Sequence, residues 1–472
     1  MAPLIPTAIP QRPLPAKESL LQFYLHKTLT EIPKPAAILD RAIITRHCTS
    51  MHKTIQTLGV DFRAHVKSHK VIPGTSIKCR KQTTELARLQ VGTSSQTINF
   101  VASTLLEIEN LAPLLKEYRD NGHRVNILYG IPVVPSQVDR LAAAAAELGE
   151  GSVSVMVDHP DQVRFLDGFA AVTGFPVGVF VKVDCGYHRA GLPPAQVDKG
   201  GLLGKLAEAE SRGLGRLVGV YSHSSLSYGG KGRGDALRHL RGEVEACLRA
   251  VAGNAKGLPE RELVVSVGAT PQVVAAEAVA GLGEGDEELE ALRALLREPD
   301  TGEFRGGVRV ELHAGNYPLL DMQQMSTDAG GVRQRFQDEV GAFVAGETCS
   351  VYNDGERECP EALVAVGVLG LGREPCPSYK GWGVIGPWGV PDSEASGDRL
   401  IIDRISQEHS IVSWESRDAA KEIPLRVGQT VKIYPNHTCI TGAMYGWYLV
   451  VDSSSDPDAT KIVDVWVRWS GW

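Results

Sequence analysis

Two stretches far apart in the chain carry side chains suited to chemistry. Residues 434–439 read YPNHTC, with His437 and Cys439 two apart. On a strand that spacing sends both side chains to one face. A thiolate beside an imidazole suits zinc. Two protein ligands would leave the other positions to water and a substrate; the alternative is a surface histidine next to a buried cysteine. Residues 63–70 read RAHVKSHK, placing Lys67 on an apolar strand where a lone ammonium is expensive. Either Lys67 is salt-bridged at a strand end, or its pKa is depressed and it forms a Schiff base with a carbonyl cofactor. Alternation puts His65 and His69 on the face of Lys67.

Other polar groups fall at the ends of apolar runs. In VSVGATP (265–271) a strand ends at Gly268, and Ala269 and Thr270 lead into a helix-like stretch. That arrangement offers backbone N–H groups and a hydroxyl to a phosphate. HAGNYP (313–318) supplies Gly315 and Asn316 in the same way. VDCGYHRAG (183–191) gathers Asp184, Tyr187, His188 and Arg189, and YSHSSLSYG (221–229) offers His223, Ser224, Ser225 and Tyr228. Taken singly, each also fits an ordinary βα turn or a local ion pair.

The elements that must position these groups follow one rhythm. Eight apolar, β-branched runs begin near residues 62, 98, 125, 153, 177, 217, 263 and 308, separated by stretches of helical spacing such as LLEIENLAPLLKEY. Near-continuous apolar strands alternating with helices predict a parallel sheet covered on both faces. Eight of them predict a (β/α)8 barrel, with a doubly wound open sheet as the alternative. Lys67, Asp184, His223, Gly268, His313 and Asn316 then sit at the strands' C-terminal ends, where a barrel places its active site. After about residue 335 short strands alternate with turns, predicting a mostly-β domain. The expected division is a segment 1–35 packing on the β domain, a barrel over 36–330 and the β domain over 331–472.

The 472 residues suffice for two domains. A formal charge of −7 gives no reason to expect nucleic-acid or membrane-surface binding. Eight scattered cysteines without a CxxC pair argue for reduced thiols. The N-terminal stretch MAPLIPTAIPQRPLPAKESL has no basic-flanked apolar core, so a cytoplasmic protein is expected.

The ordered motifs HVKSHK, DCGYHRAG, YSHSSLSYG, VGATP, HAGNYP and YPNHTC resemble those of eukaryotic-type D-serine dehydratases. These are fold-type III pyridoxal-phosphate enzymes with alanine racemase and D-threonine aldolase as relatives, and the likeness runs from about residue 32 to the C-terminus. IPKPAAILD (32–40) looks like that family's entry strand. The resemblance implies that Lys67 holds pyridoxal 5'-phosphate and serves as catalytic base. It further implies that Gly268, Ala269, Thr270, Gly315 and Asn316 bind its phosphate, that Tyr187, Arg189 and His223 lie near its ring, and that His437 and Cys439 bind Zn2+. The implied reaction is β-elimination of water from a small D-β-hydroxy amino acid by a homodimer; D-serine would give pyruvate and ammonia. Retro-aldol cleavage and D-threo-3-hydroxyaspartate dehydration are the alternatives. The aldolase branch typically carries a carboxylate where Cys439 stands. Racemisation would not need the pair, and a non-catalytic cofactor carrier would lack the β domain. Ser68 replaces the family's usual threonine, Ala269 stands where a hydroxyl is common, and 71–83 and 281–307 look like insertions.

Overall fold

The computed structural model describes residues 14–71, 86–277, 286–330, 335–386, 388 and 397–471. Eight parallel strands close into a barrel: β2 (Asp61–His65), β3 (Thr97–Ala102), β4 (Arg124–Pro132), β5 (Val153–Val157), β6 (Val177–Lys182), β7 (Gly215–Tyr221), β8 (Leu263–Val267) and β9 (Val308–Ala314). They overlap the eight apolar runs; β5, β6 and β8, buried along their whole length, read as near-continuous apolar stretches.

The barrel interior is not uniformly apolar. One layer holds Val101, Leu128, Met156, Phe180, Tyr221 and Val264. Beside it Arg63 Nε donates to Glu311 Oε1 at 2.7 Å and Arg63 Nη1 to Asn126 Oδ1 at 2.8 Å. Asn99 Nδ2 and Ser266 Oγ complete the Glu311 carboxylate, each at 2.8 Å. The buried charge pair is thus fully hydrogen-bonded, the condition under which burial of charge is tolerated.

The second unit is a nine-stranded sheet. Its strands are β1 (Ala36–Asp40), β10 (Ala342–Tyr352), β11 (Glu361–Val364), β12 (Gly383–Ile385), β13 (Leu400–Ile405), β14 (Ser410–Trp414), β15 (Thr430–Pro435), β16 (Trp447–Val451) and β17 (Asp464–Val467). Here the expected boundary at residue 36 shifts. β1 pairs antiparallel with β10 and parallel with β16, so it belongs to the sheet and not to the barrel. Asp40 then caps the helix Arg41–Leu58 by accepting from Ala42 N at 3.0 Å, and Gly59 ends it at φ 67°. This helix is where the chain crosses into the barrel. Residues 14–35 lie against the last strands, with Leu29 N donating to the Thr460 carbonyl and Tyr24 ringed against Trp447.

The stretch expected as an insertion after the lysine motif lies, beyond Val71, outside the described residues. Of the second, residues 287–297 form an amphipathic helix that buries Leu289 and Leu292 and packs on the helix Arg233–Gly253, as a covering helix of the barrel does. Among the described residues no helix is long and apolar enough to cross a membrane.

Candidate active site

Lys67 lies two residues beyond β2, in a turn and not on the strand. His69 N and Lys70 N both donate to the Val66 carbonyl, and this turn breaks the alternation that was to put three side chains on one face. His65 stays at the mouth, Nε2 3.0 Å from Ser103 Oγ. His69 is fully buried behind it against Gln90 Oε1. Lys67 itself is half-buried, and its stem passes Gly315 so closely that a Cβ there would lie 3.5 Å from Lys67 Cε.

The ends of β8 and β9 meet Lys67 from the other side. Gly268 has φ 139°, and a Cβ would collide with the His313 carbonyl, so only glycine fits the turn. Its carbonyl lies 2.7 Å from His223 Nδ1. Ala269 is buried, and Thr270 starts the helix Thr270–Glu277 with its Oγ1 accepting from Asn316 N at 3.1 Å. Asn316 Oδ1 is buried without a partner. Ser68 Oγ donates to the Gly315 carbonyl at 2.7 Å, tying the lysine turn to the same loop.

The electrostatics of this mouth are set by burial. Burial, then the charge of Lys67, holds His65 and His223 well below the ordinary imidazole range, and burial followed by His223 does the same to His313. Neutral rings therefore line the mouth at physiological pH. His313 stacks on Tyr221 at 4.3 Å, and Lys182 Nζ sits 4.4 Å from the Tyr221 ring. Tyr187 and Arg189 ride on the loop that Asp184 closes by accepting from Gly186 N, His188 N and His188 Nδ1. Tyr187 is 39% exposed with its ring 5.8 Å from the Arg189 guanidinium carbon, whereas the Arg189 charge is felt at His65 and His223. Of that pair, Arg189 is the one whose charge reaches the histidines at the mouth.

The expected strand through His437 and Cys439 ends early, at Pro435. His437 is the N-cap of a helix, Thr438–Ala443. The two side chains still meet, His437 hydrogen-bonding to Cys439. Burial alone would lower His437, but its hydrogen bond to Cys439 and the nearby Cys439, Asp321 and Glu374 push it up to about 9. His437 Nδ1 is buried without a hydrogen bond. Among the described residues no group of three His, Cys, Asp or Glu side chains is placed to hold a metal. The donor set is a soft pair with open positions, which fits a zinc ion finished by water or substrate better than a closed structural site.

A residue that the motifs passed over joins these halves. Asp321, 1% exposed, accepts from Asn316 Nδ2 at 2.6 Å and from Thr438 N at 3.0 Å. Its signal in the sequence is one carboxylate directly after the apolar run YPLL.

The comparisons bear on this geometry. Residues 341–451 match the family model described as "Putative serine dehydratase domain", and residues 60–283 match the alanine racemase N-terminal domain. The chain is 33% identical to the D-serine dehydratase of Schizosaccharomyces pombe, over 97% of this chain and 96% of that protein. To the Saccharomyces cerevisiae D-serine dehydratase it is 28% identical, over 96% and 99%. The chain belongs to the D-serine dehydratase family. As its curated relatives indicate, it is an enzyme, a lyase. In fold it is similar to the D-threo-3-hydroxyaspartate dehydratase of Delftia sp. HT23, with TM-score 0.69 and 23% identity over 94% of this chain and all of that one. The pairing of a parallel barrel with an antiparallel sheet is thus the family's architecture. The D-serine dehydratase likeness extends over the lysine turn, the glycine loops and the HxC pair alike, since it spans nearly the whole chain.

Proposed function

We propose that this protein is a pyridoxal-phosphate- and zinc-dependent D-serine dehydratase that converts D-serine to pyruvate and ammonia. The observation that carries the reading is the meeting at one barrel mouth of Lys67, the cradle Gly268–Thr270 with Gly315–Asn316, and, through Asp321, the His437–Cys439 pair. The cradle fits a phosphate-bearing cofactor: it offers a helix N-terminus and a threonine hydroxyl. Pyridoxal phosphate, when bound, supplies an electron sink for charge developing at the substrate Cα.

The residues' tasks follow from their surroundings. Lys67, at hand on a turn braced by Ser68, holds the cofactor and, once released, takes the Cα proton at Nζ. His65 and His223, kept neutral by burial, place no second cation beside that amine. Hydroxide is a poor leaving group, and zinc on His437 and Cys439 would act as a Lewis acid toward the β-hydroxyl. Cys439 favours this soft metal, and with it dehydration, over aldol cleavage. Exposed Leu369 and Ile440 on two adjoining short helices beside the pair, with Met444 just past the second, support a homodimer with its interface near the site. Light scattering reads the dimer directly; a monomer at working concentration would remove that part.

The test is a screen of D-serine, D-threonine and D-3-hydroxyaspartate with purified protein, with and without a zinc chelator. Pyruvate from D-serine that falls on chelation and returns with zinc is the expected result. Glycine and acetaldehyde from D-threonine would make it an aldolase, preferential turnover of D-3-hydroxyaspartate would reassign the substrate, and activity indifferent to full zinc removal would end the metal's role.

A further inference from the structure

The segment after Asn316 is laced to the HxC loop more densely than chain packing requires. Gln323 N donates to the Asn436 carbonyl at 3.1 Å, Thr438 Oγ1 to the Leu320 carbonyl at 2.7 Å, and Thr438 N to Asp321 Oδ2 at 3.0 Å. Leu320 takes φ 51°, a conformation unusual for leucine, just before the aspartate. At the centre is a carboxylate whose neighbours all donate. Asp321 Oδ2 receives Asn316 Nδ2 and Thr438 N, while Oδ1 receives Gln324 N at 2.9 Å. Three donors to its two oxygens favour the ionised group and work against the burial that raises its pKa. Its charge also acts on His437, whose Nδ1 has no hydrogen-bond partner.

We propose that Asp321 is a positioning residue that fixes the His437–Cys439 pair for its metal and couples that pair to the cofactor cradle through Asn316. It touches neither the metal nor the reacting atoms. It grips the backbone between the two ligands with one oxygen and, with the same oxygen, the amide of the cradle. The proposal rests on the zinc reading above. Outer-shell partners of this kind typically change metal affinity about 10–100-fold when lost.

The test is Asp321→Asn in the holoenzyme, an isosteric change that turns one acceptor into an NH2 facing a donor. Zinc affinity is measured by competition with a chromogenic chelator, cofactor retention by visible absorbance after dilution, and folding by thermal melting. Thr441→Val, which removes the 2.6 Å Thr441 Oγ1–Leu371 carbonyl bond from the same helix, reports a purely structural loss. Expected are zinc binding weakened about 10–100-fold together with faster cofactor loss in Asp321→Asn, and a lowered melting temperature with near-native zinc affinity in Thr441→Val. If Asp321→Asn does not fold, Asn316→Ala reads the link from the cradle side and should weaken zinc several-fold. Wild-type zinc affinity in whichever of these two variants folds, or an equal zinc loss in Thr441→Val, would overturn the coupling. Wild-type protein that takes up no zinc would remove the metal reading and this inference together. Zinc lost in His437→Ala but kept in Asp321→Asn would overturn this inference alone.

Discussion

The two halves of the barrel mouth are held by different means. The cradle half rides on adjacent strands: β8 and β9 pair from Leu263↔Val308 to Val267↔Leu312, and Gly268 and Gly315 follow directly. Its geometry is backbone geometry, guarded by positions where a side chain would not fit. The HxC half comes from a different sheet, on a six-residue helix after β15, and reaches the barrel through side chains, chiefly Asp321 and Thr438. The cradle is therefore sensitive to a side chain added at Gly268, and the HxC half to loss of the Asp321 and Thr438 side-chain bonds. Each prediction below separates or joins the two halves.

The largest effect is expected at Lys67. Lys67→Ala should lower D-serine turnover by about 10³-fold or more and abolish the visible cofactor band, since both the covalent anchor and the Cα base are lost. Zinc uptake by the variant should persist. A variant that loses both ligands would show that the halves are not separately built.

Cys439→Ala is the mirror experiment. We expect turnover to fall by about 10²-fold or more with loss of zinc, because the leaving hydroxide then departs without Lewis-acid help. The cofactor band should remain. Persistence of chelator-sensitive activity in this variant would move the metal site elsewhere.

These experiments also weigh what the sequence could convey. All eight barrel strands were legible, because burial on both faces leaves a continuous apolar run and the helices between them have their own period. The placement of Gly268–Thr270 and Gly315–Asn316 at strand ends was legible for the same reason. Four features were not. The turn at Val66–His69 and the early end of β15 at Pro435 replace a two-residue period by local hydrogen bonding, which motif spacing does not reveal. β1 looks like any strand of the chain's first half; that it pairs with β10 and β16 is decided by contacts about 300 and 400 residues away. Asp321 was missed because its partners, Asn316 and Thr438, meet only in the fold.

A smaller effect is expected from the backbone of the cradle. Gly268→Ala puts a Cβ into the His313 carbonyl at φ 139°, where an L side chain is strained by about 1–3 kcal/mol. The loop must shift, so cofactor affinity should fall about tenfold or more, since each 1.4 kcal/mol is a factor of ten. Zinc affinity, held by side chains of the other half, should change little. Equal losses of both would show that the strain travels through Asn316 and Asp321, which would sharpen the coupling argued above.

The smallest effect concerns the crossing between the two units. Asp40 Oδ1 accepts from Ala42 N at 3.0 Å and from Ser453 N at 3.2 Å, so one buried carboxylate caps the helix that enters the barrel and pins it to the turn after β16. Asp40→Ala should cost about 0.5–2 kcal/mol, the range of a lost N-cap. That is a drop of about 0.5–2 degrees in melting temperature for a chain of 472 residues. Its sign is clear, because both donors lie at the ends of rigid elements and neither can turn to a new acceptor. Catalysis and both cofactor affinities should stay near native, since Asp40 lies on the strand that joins the sheet and not at the mouth. A melt that splits into two transitions in this variant would show more: that the barrel and the sheet unfold as separate units once the crossing is loosened, and that the two halves of the site owe their registry to β1 as well as to Asp321.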